Sequence, residues 1–190
     1  RTFWYCRSGH NGLRFGTMTP IQIQTLLESH IRTVPDFPKP GILFRDIAPL
    51  LASHQAFGAA IGAFAKRLET ADFDAIAGIE SRGFIFGAAL AQKLGKGFIP
   101  IRKKGKLPPP VVSHTYALEY GSDTLEMQPG TGRLVVIDDV LATGGTAAAA
   151  LDLCARAGYK VEDVTFLINL AFLNKMQWRE QEPFSLLTYR

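Results

Sequence analysis

The 190-residue chain has two cysteines, Cys6 and Cys154, two tryptophans, and no uninterrupted apolar run near the ~20 residues that span a bilayer. So few cysteines exclude a disulfide framework. Cys154 falls on the apolar side of a predicted helix, where a buried structural thiol is expected rather than a nucleophile. The missing span argues against a helical membrane protein, and the first residues lack the apolar core of a signal peptide. These absences point to a reducing, cytoplasmic setting. Residues 1–17, "RTFWYCRSGHNGLRFGT", also lack periodicity, and we read them as a flexible extension outside a domain that runs from 18 to 190. Two common phosphate-binding patterns are missing as well: neither G-x-x-x-x-G-K-[ST] nor G-x-G-x-x-G occurs.

What is present is enough apolar content, 47% of residues, to build one buried core. The net charge of +4 favours anionic partners without separating nucleic acid from phosphorylated small molecules. From Thr19, "TPIQIQTLLESHIRTV" puts Ile23, Leu26, Leu27 and Ile31 on one helical face, with Pro20 suited to the first turn. Residues 35–46 hold three prolines and a glycine and predict an ordered, irregular loop. A helix capped by Ser53 should reach Glu69, with Phe57, Ile61, Phe64 and Leu68 inward.

Beyond it the pattern alternates between strands and helices. Strands are predicted at 74–79, 97–102, 133–139, 161–170 and 184–189, and helices at 83–95 and 144–157. Such alternation predicts an α/β single domain, a central mainly parallel twisted sheet flanked by helices. Residues 102–127, basic and then proline-rich and aromatic, predict a long loop carrying a β-ribbon.

The most informative stretch is "VVIDDVLATGGT", residues 135–146. Asp138 and Asp139 end an apolar strand, and ligands of open parallel sheets bind off the carboxyl ends of strands. Immediately after them, Ala142, Thr143, Gly144, Gly145 and Thr146 can wrap backbone amides and two hydroxyls around an anion at a helix N-terminus. The carboxylates suit sugar hydroxyls or a magnesium ion carried by the ligand. The bland reading, a strand-to-helix turn with an Asp cap, leaves two adjacent charges beside a buried strand without a reason.

"VVIDDVLATGGT" resembles the signature of the type I phosphoribosyltransferase family, which binds 5-phosphoribosyl-1-pyrophosphate (PRPP). With "PDFPKPGILFRDI", "GIESRGFIFG", "IRKKGKLP" and "YALEYGSDTLEM", the motif order resembles the adenine-using members of that family over nearly all of residues 18–190. The resemblance implies the type I fold with a small N-terminal hood near 35–50 and a mobile lid near 102–127. It also implies transfer of the phosphoribosyl group to N9 of adenine, giving AMP and pyrophosphate through an oxocarbenium-like transition state.

The same resemblance implies a role for each site residue. Ala142 to Thr146 would cradle the 5'-phosphate. Asp138 and Asp139 would hold the ribose hydroxyls and, indirectly, Mg2+ bound mainly through PRPP. Arg82 would meet the pyrophosphate beside a cis peptide at Glu80–Ser81, and Arg102 and Lys106 would reach the same group. Lys103 would serve PRPP from this or a neighbouring subunit. Glu119 is the implied proton acceptor. Backbone groups at Leu43 and Arg45 would read adenine while Phe44 packs on its ring.

The resemblance further implies a homodimer, and because the basic residues concentrate at the implied lid without an organised basic face or an added DNA-binding helix pair, no nucleic-acid partner is expected. Two alternatives stay open on the sequence: another purine as acceptor, or a PRPP-sensing regulator. Relatives usually carry several more residues after Met127, which places the ribbon geometry in question.

Overall fold

The computed structural model describes residues 18–117 and 121–190, so the expectations for 1–17 and for Glu119 lie outside the described residues. Helix α1 (Pro20–Glu28) begins as predicted. Gln22 N donates to the Thr19 hydroxyl at 3.3 Å and Thr19 N donates to the Gln22 side chain at 2.9 Å, so two amides without helical partners are satisfied. The helix stops before the apolar spacing does. The Ser29 hydroxyl donates to the Leu26 carbonyl at 2.8 Å and the His30 ring lies 2.9 Å from the same oxygen, so side chains compete for the last turn.

The chain then enters β1 (Arg32–Pro35), which pairs antiparallel with β2 (Leu43–Asp46). The arms of the expected irregular loop at 35–46 are therefore a hairpin. Its cross-strand contacts are an Arg32–Asp46 ion pair at 2.7 Å and an edge-to-face contact between Phe37 and Phe44 at 5.1 Å. Short α2 (Ala48–Ala52) leads to α3 (His54–Arg67), where Ala56 N donates to the predicted Ser53 cap at 3.2 Å.

The remaining elements follow the predicted alternation: β3 (Ala75–Ile79), α4 (Gly83–Leu94), β4 (Gly97–Lys103), β5 (Val112–Ala117), β6 (Ser122–Met127), β7 (Gly132–Leu141), α5 (Gly145–Arg156), β8 (Tyr159–Leu170) and β9 (Phe184–Tyr189). Gly95, at φ +65°, closes α4. One sheet has the order β5-β6-β4-β3-β7-β8-β9, in which β4-β3-β7-β8-β9 are parallel.

All five residues of β3 are buried, because helices cover both faces. Along β7 successive side chains go to opposite layers. Val135 and Ile137 join Phe64, Phe86 and Leu90 on the α3–α4 side, while Leu134 and Val136 join Leu153, Cys154 and Phe166 on the α5 side. Burial pushes the Cys154 thiol up to about 12, consistent with an inert structural role.

The segment 102–127 differs from its expectation in being mostly sheet. β5 and β6 pair in register from Val112–Met127 to Ala117–Ser122, and Arg102 and Lys103 lie opposite Glu126 and Leu125. Among the described residues of this segment, 104–111 and Gly121 lie outside the strands. Glu126, buried at 5% exposure, holds that loop by accepting from Gly105 N at 2.8 Å and Ser113 Oγ at 3.2 Å. The ribbon keeps its register despite the short connection after Met127, where Gly130 N donates to Ala157 O at 2.9 Å.

Candidate active site

β3 and β7 end side by side, and each feeds a 12-residue helix, α4 and α5, whose N-terminus faces the same end of the sheet. A cleft of about 510 Å³ opens there. One wall is the β2 hairpin, from Ile42 through Leu43, Phe44 and Arg45. A second is the turn Glu80–Ser81–Arg82, whose Glu80–Ser81 peptide is cis as expected. The third is the end of β7 and the loop after it: Asp138, Asp139, Ala142, Thr143, Gly144 and Thr146. Gly144 sits at φ +88°, a conformation that favours glycine, and passes the chain directly into α5.

Burial is the largest influence on both aspartates. Asp138 is pushed well above the usual carboxylate range by burial and by the charge of Asp139 beside it. Asp139, 4% exposed, is also raised by burial, against the opposing charge of Arg82. Asp138 Oδ1 accepts the Asp139 backbone N–H at 2.8 Å, which fixes its rotamer. Arg82 Nε stands 2.8 Å from Asp139 Oδ2 but out of line for a hydrogen bond. The pair is therefore an ionic contact, and Oδ2 stays a buried acceptor without a donor. Room for these groups depends on Gly83, where a Cβ would fall 2.7 Å from Asp138 Oδ1 and 2.9 Å from the Ile137 carbonyl.

Arg82 also links the cleft to the hairpin, with its guanidinium 5.5 Å from the Phe44 ring centre. The Arg45 side chain donates to Thr33 Oγ1 at 2.5 Å and stacks on Tyr189 at 3.9 Å, so it is engaged within the hairpin and with β9.

The basic cluster is partly engaged. Arg102 donates to Glu80 at 3.1 Å and to the Lys106 carbonyl at 3.1 Å. Burial alone would raise Glu80, but the Lys103 backbone N–H and Arg102 outweigh it and hold this carboxyl below its usual value. Lys103 lines the cleft and pairs with Asp123 on β6, which raises the ammonium. Arg102, Lys106 and Gly145 do not line the cleft.

A phosphoribosyl transferase domain matches residues 48–177. The adenine phosphoribosyltransferase of Bdellovibrio bacteriovorus is 55% identical over 163 residues, 86% of this chain and 99% of its own. The chain belongs to the adenine phosphoribosyltransferase family. Among solved structures, the adenine phosphoribosyltransferase of Rhodothermus marinus has a TM-score of 0.79 at 42% identity, covering 89% of this chain and 99% of its own. The Saccharomyces cerevisiae enzyme, complexed with adenine and an imino-altritol bisphosphate, has a TM-score of 0.76 at 38% identity, covering 80% and 92%.

The sequence did not reveal everything that shapes this phosphoribosyltransferase cleft. Glu80 pairs with Arg102, a contact hidden by their 22-residue separation. Tyr116 stands in a motif without an evident role, yet its hydroxyl lies 3.1 Å from Thr146 Oγ1 in the first turn of α5. Leu170 at the end of β8 and Leu173 in the β8–β9 connection line the cleft too, and that connection carries no motif.

Proposed function

We propose that this chain transfers the phosphoribosyl group of PRPP to N9 of adenine, releasing pyrophosphate and giving AMP, a purine-salvage reaction. The observation that carries the reading is the adjacent pair of half-buried Asp138 and buried Asp139, with one Asp139 acceptor oxygen lacking a donor, beside a glycine-opened helix N-terminus in the same cleft. A ribose with free hydroxyls supplies donors to the carboxylates while its 5'-phosphate accepts from the amides and hydroxyls of Ala142 to Thr146.

The C1'–O bond to pyrophosphate breaks ahead of N9 attack, leaving positive charge on the ribose ring that the aspartate pair favours. Arg82 and Lys103 in the cleft, together with Arg102 and Lys106, meet the departing pyrophosphate. Leaving Glu80 frees Arg102 for that contact. Backbone groups at Leu43 and Arg45 read the base and Phe44 packs on its ring. The loop at 104–111 acts as the lid over the reaction centre, keeping water from the cation. The N9 proton passes to Glu119.

The donor set fits magnesium held through the ligand. Among the described residues no cluster of three His, Cys, Asp or Glu side chains could hold an ion alone, and Asp138 and Asp139 offer oxygens of the kind magnesium takes. When bound, the ion supplies charge neutralisation for the pyrophosphate. A cytoplasmic homodimer completes the reading. Among the described residues no helix is long and apolar enough to cross a membrane.

The test mixes the protein with PRPP, magnesium and adenine, hypoxanthine or guanine in turn, and follows pyrophosphate release. Release with adenine alone, lost in Asp139→Asn, is expected. Release with another purine alone moves the specificity, and PRPP binding without release for any base removes the enzyme reading.

A further inference from the structure

The connection between β8 and β9 takes no part in the chemistry above, yet one of its side chains holds the phosphate loop from behind. Asn174 Nδ2 lies 2.7 Å from the Ala142 carbonyl, 3.1 Å from the Leu170 carbonyl and 3.1 Å from Asn169 Oδ1. Its Oδ1 accepts from Met176 N at 3.2 Å. Both ends of the amide are thus engaged, which fixes its orientation as donor toward Ala142.

Its supports are fixed in turn. Asn169, 1% exposed on β8, donates its own amide to Glu182 at 2.7 Å. The connection also packs closely on the loop. A Cβ on Gly144 would sit 3.4 Å from the Met176 side chain and 3.9 Å from that of Asn174.

We propose that Asn174 is a positioning residue for PRPP, acting by anchoring the Ala142 carbonyl and so aiming the amide that follows it. A trans peptide is planar, with its C=O and N–H on opposite sides. Pinning the Ala142 carbonyl toward Asn174 therefore turns the Thr143 N–H to the other side of the loop. That amide belongs to the set read above as the 5'-phosphate cradle, so the inference rests on that reading. An amide held in place before the ligand arrives needs no reorganisation on binding, and its loss weakens substrate and transition state alike. Such uniform loss raises KM while leaving kcat nearly unchanged.

A merely structural Asn174 would act differently. Loosening a surface connection would affect adenine and PRPP together, because Leu173 of this connection and Leu170, just before it at the end of β8, line the cleft as well.

The experiment compares Asn174→Ala and Asn174→Asp with the unaltered protein. It measures KM for PRPP, KM for adenine, kcat, and binding of ribose 5-phosphate, which carries the 5'-phosphate without pyrophosphate or base. The expected result is a KM for PRPP raised about tenfold in Asn174→Ala, with weaker ribose 5-phosphate binding to match, while kcat and KM for adenine stay within about twofold. Asn174→Asp, which sets a carboxylate against three acceptor oxygens, should be worse.

Thr143→Ala and Thr146→Val separate this inference from the cradle reading. If they weaken ribose 5-phosphate binding and the Asn174 variants do not, the positioning role is wrong and the cradle stands. If neither set weakens it, the cradle itself is wrong. Equal rises in both KM values also overturn the proposal. Should the Asn174 variants fail to fold, Glu182→Gln loosens the Asn169 support instead, and a two- to threefold rise in KM for PRPP alone is expected, roughly the effect of one weakened hydrogen bond. An unchanged KM there overturns the proposal too.

Discussion

Strand β7 carries charge at both ends, and the two ends treat it in opposite ways. At its start Arg133 donates to Asp74 at 3.0 and 3.2 Å and pairs with Asp72 as well. A second cleft there, of about 610 Å³, holds further matched pairs: Arg67 with Asp163 at 3.0 Å, and Lys160 and Arg179 with Glu162 at 2.6 and 3.1 Å. Hydrogen bonds from Arg133 hold Asp74 down at about 2. At the other end half-buried Asp138 and buried Asp139 are both raised and share one arginine that is out of line. Solvated, fully paired charges serve the fold. Buried, underpaired ones are held in place by the fold at a cost, which is the arrangement expected where a ligand completes the pairing.

The sharpest way to break this contrast is Asp138→Asn. An amide keeps the oxygen that accepts the Asp139 N–H but removes the charge that burial disfavours. Activity should fall by roughly 10²-fold or more, as for loss of a preorganised electrostatic group. Ligand-free stability at neutral pH should instead rise, by about 1 kcal/mol. The sign follows from linkage. A carboxyl whose folded pKa is raised binds more protons in the native state, so its contribution is present at low pH and lost as pH rises through the folded value. Melting curves from pH 4 to 7 should decline for the unaltered protein and flatten for the variant. A variant less stable at pH 7 would show that the pair is structural after all.

The legible part of this molecule is the part whose signals are local. β3, β7 and β8 announce themselves as apolar runs, Thr19, Ser53 and Gly95 as caps, and Asp138 to Thr146 as one continuous site motif. The hairpin was not legible because β1 and β2 are four residues each, too short for alternation to show, and three prolines argued for loop. The ribbon at β5 and β6 could be foreseen, but not its fusion to β4, which depends on two residue pairs 22 and 24 positions apart. Phe44 and Arg45 are implied by family resemblance alone, since backbone recognition leaves no side-chain pattern. Asn174 left no trace either: a single Asn in an irregular connection gains meaning only when Ala142, 32 residues earlier, folds against it.

A milder perturbation asks whether the site end extends into the ribbon. Tyr116 OH reaches both Thr146 Oγ1 at 3.1 Å and Asp123 at 3.5 Å, and Asp123 pairs with Lys103. Tyr116→Phe keeps the ring and removes only the hydroxyl. KM for PRPP should rise about three- to fivefold, the worth of one hydrogen bond of about 1 kcal/mol, with the melting midpoint nearly unchanged. No change in KM would confine the underpaired site to β7 and the loop after it.

The smallest effect belongs to the matched end. Asp74→Asn removes the carboxylate that Arg133 holds with its side chain and its backbone amide, the latter at 2.8 Å. Because the folded pKa is depressed, this contribution is complete above the unfolded value of 3.8 and disappears as pH falls through about 2. Acid titration of the unaltered protein should therefore show a stability loss between about pH 4 and pH 2 that is smaller in the variant, where the other depressed carboxylates such as Glu80 and Asp123 still contribute, while activity at neutral pH stays within about twofold, as for other exposed ion pairs. The contrast with Asp138→Asn lies in the direction of the slope: one carboxylate stabilises the fold as it ionises and the other destabilises it. An Asp74 variant that lost PRPP turnover would mean the second cleft communicates with the first along β7, and the two ends would no longer be separable.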